Sequence, residues 1–197
     1  MCTDWDQADR LATAVHLREE GAFERLVELY EGSLFRYTER LVENAHDAQE
    51  VVQDAFLRAH RALTRQYDEA RCRELNLKPW LFRIARNLAF NKKRGKMNRL
   101  QIPLPILEDD DLRGLTRGEV PNDFEKREEM RELDRAISGL PSEYRELIVL
   151  RFLEEMSYAE ISRTTGSNEA SLRGKVFRSL KLLREALGSK GVAHAMS

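Results

Sequence analysis

Two cysteines in 197 residues, Cys2 and Cys72, cannot build the disulfide framework of a small secreted domain. The four histidines (His16, His46, His60, His194) are scattered without metal-ligand spacing, so no metal site is expected and no cofactor motif is visible. No apolar run approaches the roughly 18 residues of a membrane span. The amino terminus carries Asp4, Asp6 and Asp9 where a secretory signal would carry cations followed by an apolar stretch. These absences predict a cytoplasmic protein with no direct membrane insertion. No Ser/His/Asp, Cys/His or phosphate-loop constellation appears, so no catalytic residue is nominated and an enzyme is not expected. Glycine and proline are scarce, at 10 and 5 residues, which leaves few chain breakers and permits long helices. One of the two thiols, Cys72, lies between Arg71 and Arg73, cations that would lower the pKa of an exposed thiol.

The residues that are present fit an all-α chain, with a hydrophobic content of 42% that is enough for one large or two small cores. The formal net charge of −1 conceals a segregation. Residues 1–100 hold 18 cations and 16 acids, residues 101–138 hold 6 and 11, and residues 139–197 hold 9 and 7. Two ends with local basic faces therefore flank an acidic middle. That middle contains Pro103, Pro105 and Glu108 to Asp111 without amphipathic periodicity, and it reads as an extended, flexible linker.

In the first half, Phe23, Leu26, Val27, Tyr30, Leu34, Tyr37 and Leu41 recur at helical spacing, and Gly21 separates this helix from a shorter one around Leu11 to Leu17. A third helix, Asp47 to Leu63, turns Val51, Val52, Ala55, Phe56, Ala59 and Leu63 inward and leaves Glu50, Gln53, Asp54 and Arg58 outward. A fourth is expected from Pro79 to about Lys96, with Leu81, Ile84, Ala85 and Leu88 inward. Its outer face carries Arg83, Arg86, Asn87, Phe90 and Arg94, flanked by Trp80 and Asn91. From Arg83 to Arg99 there are seven cations and no acid. Cations interleaved with aromatics and Asn suit single-stranded nucleic acid, whose phosphates, base faces and base edges each find a partner. Trp80 and Phe90 are equally compatible with a place in the core.

The last fifty residues spell a helix-turn-helix behind a support helix. The support helix runs from Leu140-Pro141-Ser142 to Leu153. Ser157 caps a short helix with Ala159 and Ile161 inward, Gly166 supplies the turn, and Asn168 caps a long second helix. Leu172, Val176, Leu180, Leu183 and Leu187 are placed on its inward stripe. The opposite face centres on Ser171, Gly174, Arg178 and Lys181, with Arg173, Phe177 and Arg184 beside it. Between Arg173 and Lys190 six cations stand against one acid, Glu185, a bias that points to a polyanion and to the major groove of DNA.

The segments Asp47 to Ala59, Trp80 to Ala89 and the carboxy-terminal helix-turn-helix closely resemble bacterial RNA polymerase sigma factors of the extracytoplasmic-function (ECF) group of the sigma-70 family. The likeness covers about residues 20–98 and 128–187. It implies region 2 over 8–98, an acidic linker over 99–127 and region 4 over 128–188. It also implies core RNA polymerase as partner, gripped at the beta-prime coiled coil and the beta flap. Promoter DNA is the second implied partner, as −35 duplex and melted −10 strand. By the same resemblance, Glu50, Gln53, Asp54 and Arg58 dock on polymerase. Trp80, Arg83, Arg86, Asn87 and Asn91 hold the −10 strand; Ser171, Arg173, Gly174, Phe177, Arg178 and Lys181 face the −35 element. An anti-sigma inhibitor, frequently membrane-bound in the family, is an implied partner that no residue identifies.

The chain departs from the family pattern in a longer stretch between Tyr67 and Trp80, in Leu77 where Phe is common, and in Gly174 where a hydroxyl side chain is common. Two other readings stay open on the residues alone. A stand-alone dimeric helix-turn-helix regulator would bind a palindromic duplex without polymerase. An enzyme with a helical accessory domain would need convergent catalytic groups.

Overall fold

Helices account for the secondary structure of the computed structural model, which describes residues 4–100 and 124–194; no strand occurs among the described residues. Cys2 and the linker residues Pro103, Pro105 and Glu108 to Asp111 lie outside the described residues. In chain order the helices are α1 (Asp4–His16), α2 (Ala22–Val42), α3 (Ala45–Arg65), α4 (Glu69–Arg73), α5 (Leu77–Leu100), α6 (Phe124–Ser138), α7 (Ser142–Ile148), α8 (Tyr158–Thr165) and α9 (Glu169–His194). Two compact units result, the first built chiefly on α1–α5 and the second on α6, α7, the start of α8 and α9.

In the first unit the apolar stripes meet as their periodicity requires. Leu26, Tyr30, Leu34, Tyr37 and Leu41 of α2 are buried against Val51, Ala55, Phe56, Ala59 and Leu63 of α3 and Leu81 and Ala85 of α5. Each large side chain buried here contributes about 1.5–3 kcal/mol. Phe23 and Val27, at the edge of the stripe, are only half-buried. On α5 the inward face is wider than expected: Phe82 and Ala89 are buried, Phe82 with its ring 5.1 Å from that of Tyr37, while Ile84 is half-exposed. Gly21 opens α2 at φ +69°, a left-handed conformation that costs glycine little and a branched residue much. Asn44 caps α3 by accepting from the Asp47 amide at 2.9 Å. α5 begins two residues before Pro79, whose missing N–H falls among the first-turn donors that no helix satisfies.

In the second unit Ala136, Ile137 and Leu140 pack with Leu147, Ile148, Leu150, Met156, Ile161, Leu172 and Val176. Buried Arg145 holds the end of α6, its guanidinium donating to the Ser138 carbonyl at 2.6 Å, one of the unpaired groups of the helix terminus, and to the Leu140 carbonyl beyond it at 3.1 Å. The support helix ends at Leu153, as its sequence predicts. Its last turn, Val149–Leu153, widens into a π-helix, and Phe152 and Leu153 are exposed.

Candidate functional site

The outer face of α3 follows from its period. With Val51, Val52, Ala55, Phe56 and Ala59 buried, Glu50, Gln53, Asp54 and Arg58 are all exposed, joined by Leu57 at 54% exposure. Glu50 is nonetheless engaged within the chain. The ammonium of Lys92 on α5 pairs with its carboxylate and lies 3.5 Å from that of Asp47. This hydrogen bond and charge hold the Glu50 carboxyl below its ordinary pKa. His46, Asp47 and Glu50 bring possible metal-ligand atoms within 4.8 Å of one another. The ammonium already against both carboxylates opposes a second cation there.

Along α5, Arg83, Asn87, Asn91 and Arg94 are exposed on one stripe, and Arg86 stacks its guanidinium 4.6 Å from the Phe90 ring. The basic face is smaller than the cation count suggested. Lys92 turns to α3, and Lys93 donates to the Leu41 carbonyl at 3.1 Å and lies 3.5 Å from Glu43. Trp80 is half-buried. Its indole Nε1 donates to the Tyr67 hydroxyl at 3.2 Å, and Arg71 covers the other ring of the pair, 4.3 Å from the Tyr67 centroid. The Tyr67–Trp80 pair and α4, capped by Asp68 accepting from the Arg71 amide at 2.8 Å, were missed in the sequence. The Asp68 capping position was the signal available. Cys72 in α4 is fully buried, and burial pushes its thiol pKa up, with Asp68 adding to the rise and Arg71 opposing it. Desolvation of the thiolate therefore outweighs the charge of Arg71.

In the second unit Ser157 and Glu160 form a reciprocal cap on α8. The Ser157 amide donates to the Glu160 carboxylate at 2.8 Å and the Glu160 amide donates back to Ser157 Oγ at 3.3 Å. Gly166 makes the turn at φ +74°, and Asn168 caps α9 by accepting from the Ala170 amide at 2.9 Å. The inward stripe of α9 is Leu172, Val176, Ser179 and Leu183. Leu180 and Leu187, expected on that stripe, are 39% and 37% exposed. The stripe rotates because Ser179 is accommodated by bonding its hydroxyl to the Lys175 carbonyl at 2.9 Å. The opposite face presents Ser171, Arg173, Gly174, Phe177, Arg178, Lys181 and Arg184, all exposed. Phe177, at 71%, is far too exposed for a core residue. Lys175 is drawn aside by Glu143, and the Arg173 guanidinium lies 5.6 Å from the centre of the Tyr158 ring.

A charged helix face, a cationic helix with Asn side chains and a helix-turn-helix thus occur in that order in one chain. Sigma-70 region 2 matches residues 26–99, and Sigma-70, region 4 matches residues 130–183. The chain belongs to the sigma-70 family. The ECF RNA polymerase sigma factor SigM of Bacillus subtilis (strain 168) is 28% identical over 169 residues, spanning 86% of this chain and 96% of SigM. The ECF RNA polymerase sigma-E factor of Escherichia coli (strain K12) is 29% identical over 185 residues, spanning 91% and 92%. The fold matches that of CnrH, solved in complex with the cytosolic domain of CnrY, at a TM-score of 0.65, 23% identity and coverage of 92% and 98%. This sigma factor is of the ECF type, an alternative sigma factor that binds RNA polymerase for promoter recognition. Among the described residues no helix is long and apolar enough to cross a membrane.

Proposed function

We propose that this sigma factor divides its work among three exposed faces. Glu50, Gln53, Asp54 and Arg58 on α3 dock on the beta-prime coiled coil of core polymerase. Arg83, Arg86, Asn87 and Asn91 on α5, with Trp80 at the start of the helix, hold the melted −10 strand. Ser171, Arg173, Gly174, Phe177, Arg178 and Lys181 on α9 read the −35 duplex, and the second unit sits on the beta flap. Residues 8–98 form the first functional domain, 99–127 the acidic linker and 128–188 the second. The chain performs no chemistry itself; polymerase does. The observation that carries this reading is that these side chains, the half-buried Trp80 and Arg86 apart, are exposed on helices whose opposite faces build the cores.

The mechanism is recruitment followed by strand capture. Cations on α5 and α9 gain affinity by releasing counterions from phosphate, which carries no sequence information. Sequence is read where side chains reach base edges, as an arginine reaches guanine in the major groove. On the −10 side, a surface that binds unpaired bases better than paired ones shifts the equilibrium toward the open duplex by that difference in affinity. Trp80 enters with one side already engaged, since Tyr67 packs against its ring and accepts its indole N–H. An anti-sigma inhibitor, membrane-held or free, is the natural regulator; the related-fold RpoE of Bartonella quintana was solved with the anti-sigma factor NepR.

The test is capture of core polymerase by the purified chain, followed by transcription from a duplex and a premelted promoter. The reading expects capture, and transcription from both templates that depends on the added chain. Capture that survives Gln53→Ala with Asp54→Ala unchanged overturns the docking assignment.

A further inference from the structure

A cross-brace from α5 reaches the α3 docking face. Lys92 is only 25% exposed, and its ammonium sits between Asp47, 10% exposed, and Glu50, 52% exposed. Asp47 lies one turn before Glu50 at the amino-terminal end of α3, so a single cation bridges two successive positions on one face. Gln53 and Asp54 follow Glu50 by three and four residues and share its face. Left alone, a half-exposed glutamate in the second turn of a helix samples several rotamers. Ordering such a side chain on binding costs about 0.5–1.5 kcal/mol.

We propose that Lys92 is a positioning residue for polymerase docking: held by Asp47, it fixes the Glu50 carboxylate in one place on the docking face and ties that face to the helix that carries Arg83, Asn87 and Asn91. The proposal rests on the docking role given to α3. Lys92 acts through Glu50 and touches neither polymerase nor DNA. Its neighbour Lys93 braces α5 against the end of α2 through the Leu41 carbonyl and Glu43, away from the docking residues, and supplies an internal control.

The experiment is a double-mutant cycle on the full chain, with affinity for core polymerase measured by fluorescence anisotropy in the absence of DNA. Lys92→Met, which keeps the stem and removes the charge, weakens binding roughly two- to tenfold, the loss expected when one long side chain must be ordered on docking. In a Glu50→Gln background the same change has no further effect. Lys92→Arg retains most of the affinity, and Lys93→Met leaves it at the parent value. Thermal unfolding of each variant shows whether the fold persists. Equal losses from Lys92→Met in both backgrounds, or a loss from Lys93→Met as large, overturn the proposal in favour of direct contact or general destabilisation. Tighter binding by Lys92→Met overturns it too, since Lys92 would then be competing for Glu50. Gln53→Ala with Asp54→Ala separates the levels. If that variant weakens docking and the cycle shows no coupling, only the Lys92 proposal falls; if it does not weaken docking, the α3 assignment falls.

Discussion

Replacing Gly174 with alanine separates what α9 needs as a helix from what it needs at DNA. Gly174 is exposed inside a long helix, on the face that carries Arg173, Phe177 and Arg178. An added Cβ would meet only the tip of the Arg178 guanidinium, at 3.8 Å, an ordinary contact with the end of a flexible side chain. The free protein therefore accepts the methyl without strain, and alanine is favoured over glycine in a helix interior by about 1 kcal/mol. For a unit the size of α6–α9, that gain raises the midpoint of thermal unfolding by roughly 4–8 °C. Calorimetry on the full chain, following the transition of the second unit, reads it directly. At DNA the sign reverses. If base edges approach the helix backbone at Gly174, the methyl overpacks the contact at a cost of ~1–3 kcal/mol, so the affinity of holoenzyme for a −35 duplex falls at least about fivefold. A variant that is no more stable refutes the helix arithmetic. A variant that is more stable and binds the −35 duplex like its parent refutes the close approach.

Asn87→Ala combined with Arg83→Ala is expected to depress transcription from duplex promoters more than from a premelted bubble, because both side chains are assigned to the unpaired strand; equal loss on both templates would point to docking or folding. Arg178→Ala should flatten preference at one base pair of a −35 library, at ~1–3 kcal/mol. Lys181→Ala should instead weaken all sequences alike and reduce the salt dependence by about one counterion. In a Cys2→Ser variant, the Cys72 thiol, buried with a raised pKa, should react with iodoacetamide only as fast as the first unit opens. Since its folded pKa lies above the unfolded one, its contribution to stability is present at neutral pH and is lost as pH rises through the thiol range; alkylation at the rate of a free thiol would contradict this.

What the sequence made legible was periodicity and local caps. The stripes of α2 and α3, the Asn168 cap and the Gly166 turn all follow from signals within a few residues, and the structure agrees with them. What escaped depended on partners far along the chain. The spacing of α5 could not say that Phe82 meets Tyr37, that Lys92 and Lys93 turn inward, or that Trp80 finds Tyr67, since each is decided by another helix. The raised pKa of the Cys72 thiol was hidden for the same reason: flanking cations are visible in the sequence, burial is not. On α9 the Leu180 error arose because a hydroxyl can enter a core by bonding its own helix, as Ser179 does, and so rotate the stripe.

Promoter selection from random sequence tests the account most directly. Core polymerase with and without this sigma factor would transcribe a duplex library randomised upstream of a fixed start, and the active templates would be sequenced. The account predicts enrichment only when the sigma factor is present, in two separate blocks, one read as duplex and one whose requirement disappears when the region around the start is premelted. Arg178→Ala should alter the first block alone, and Asn87→Ala the second alone. A single palindromic block, retained by the protein in the absence of polymerase, would contradict the account and identify a stand-alone helix-turn-helix regulator instead.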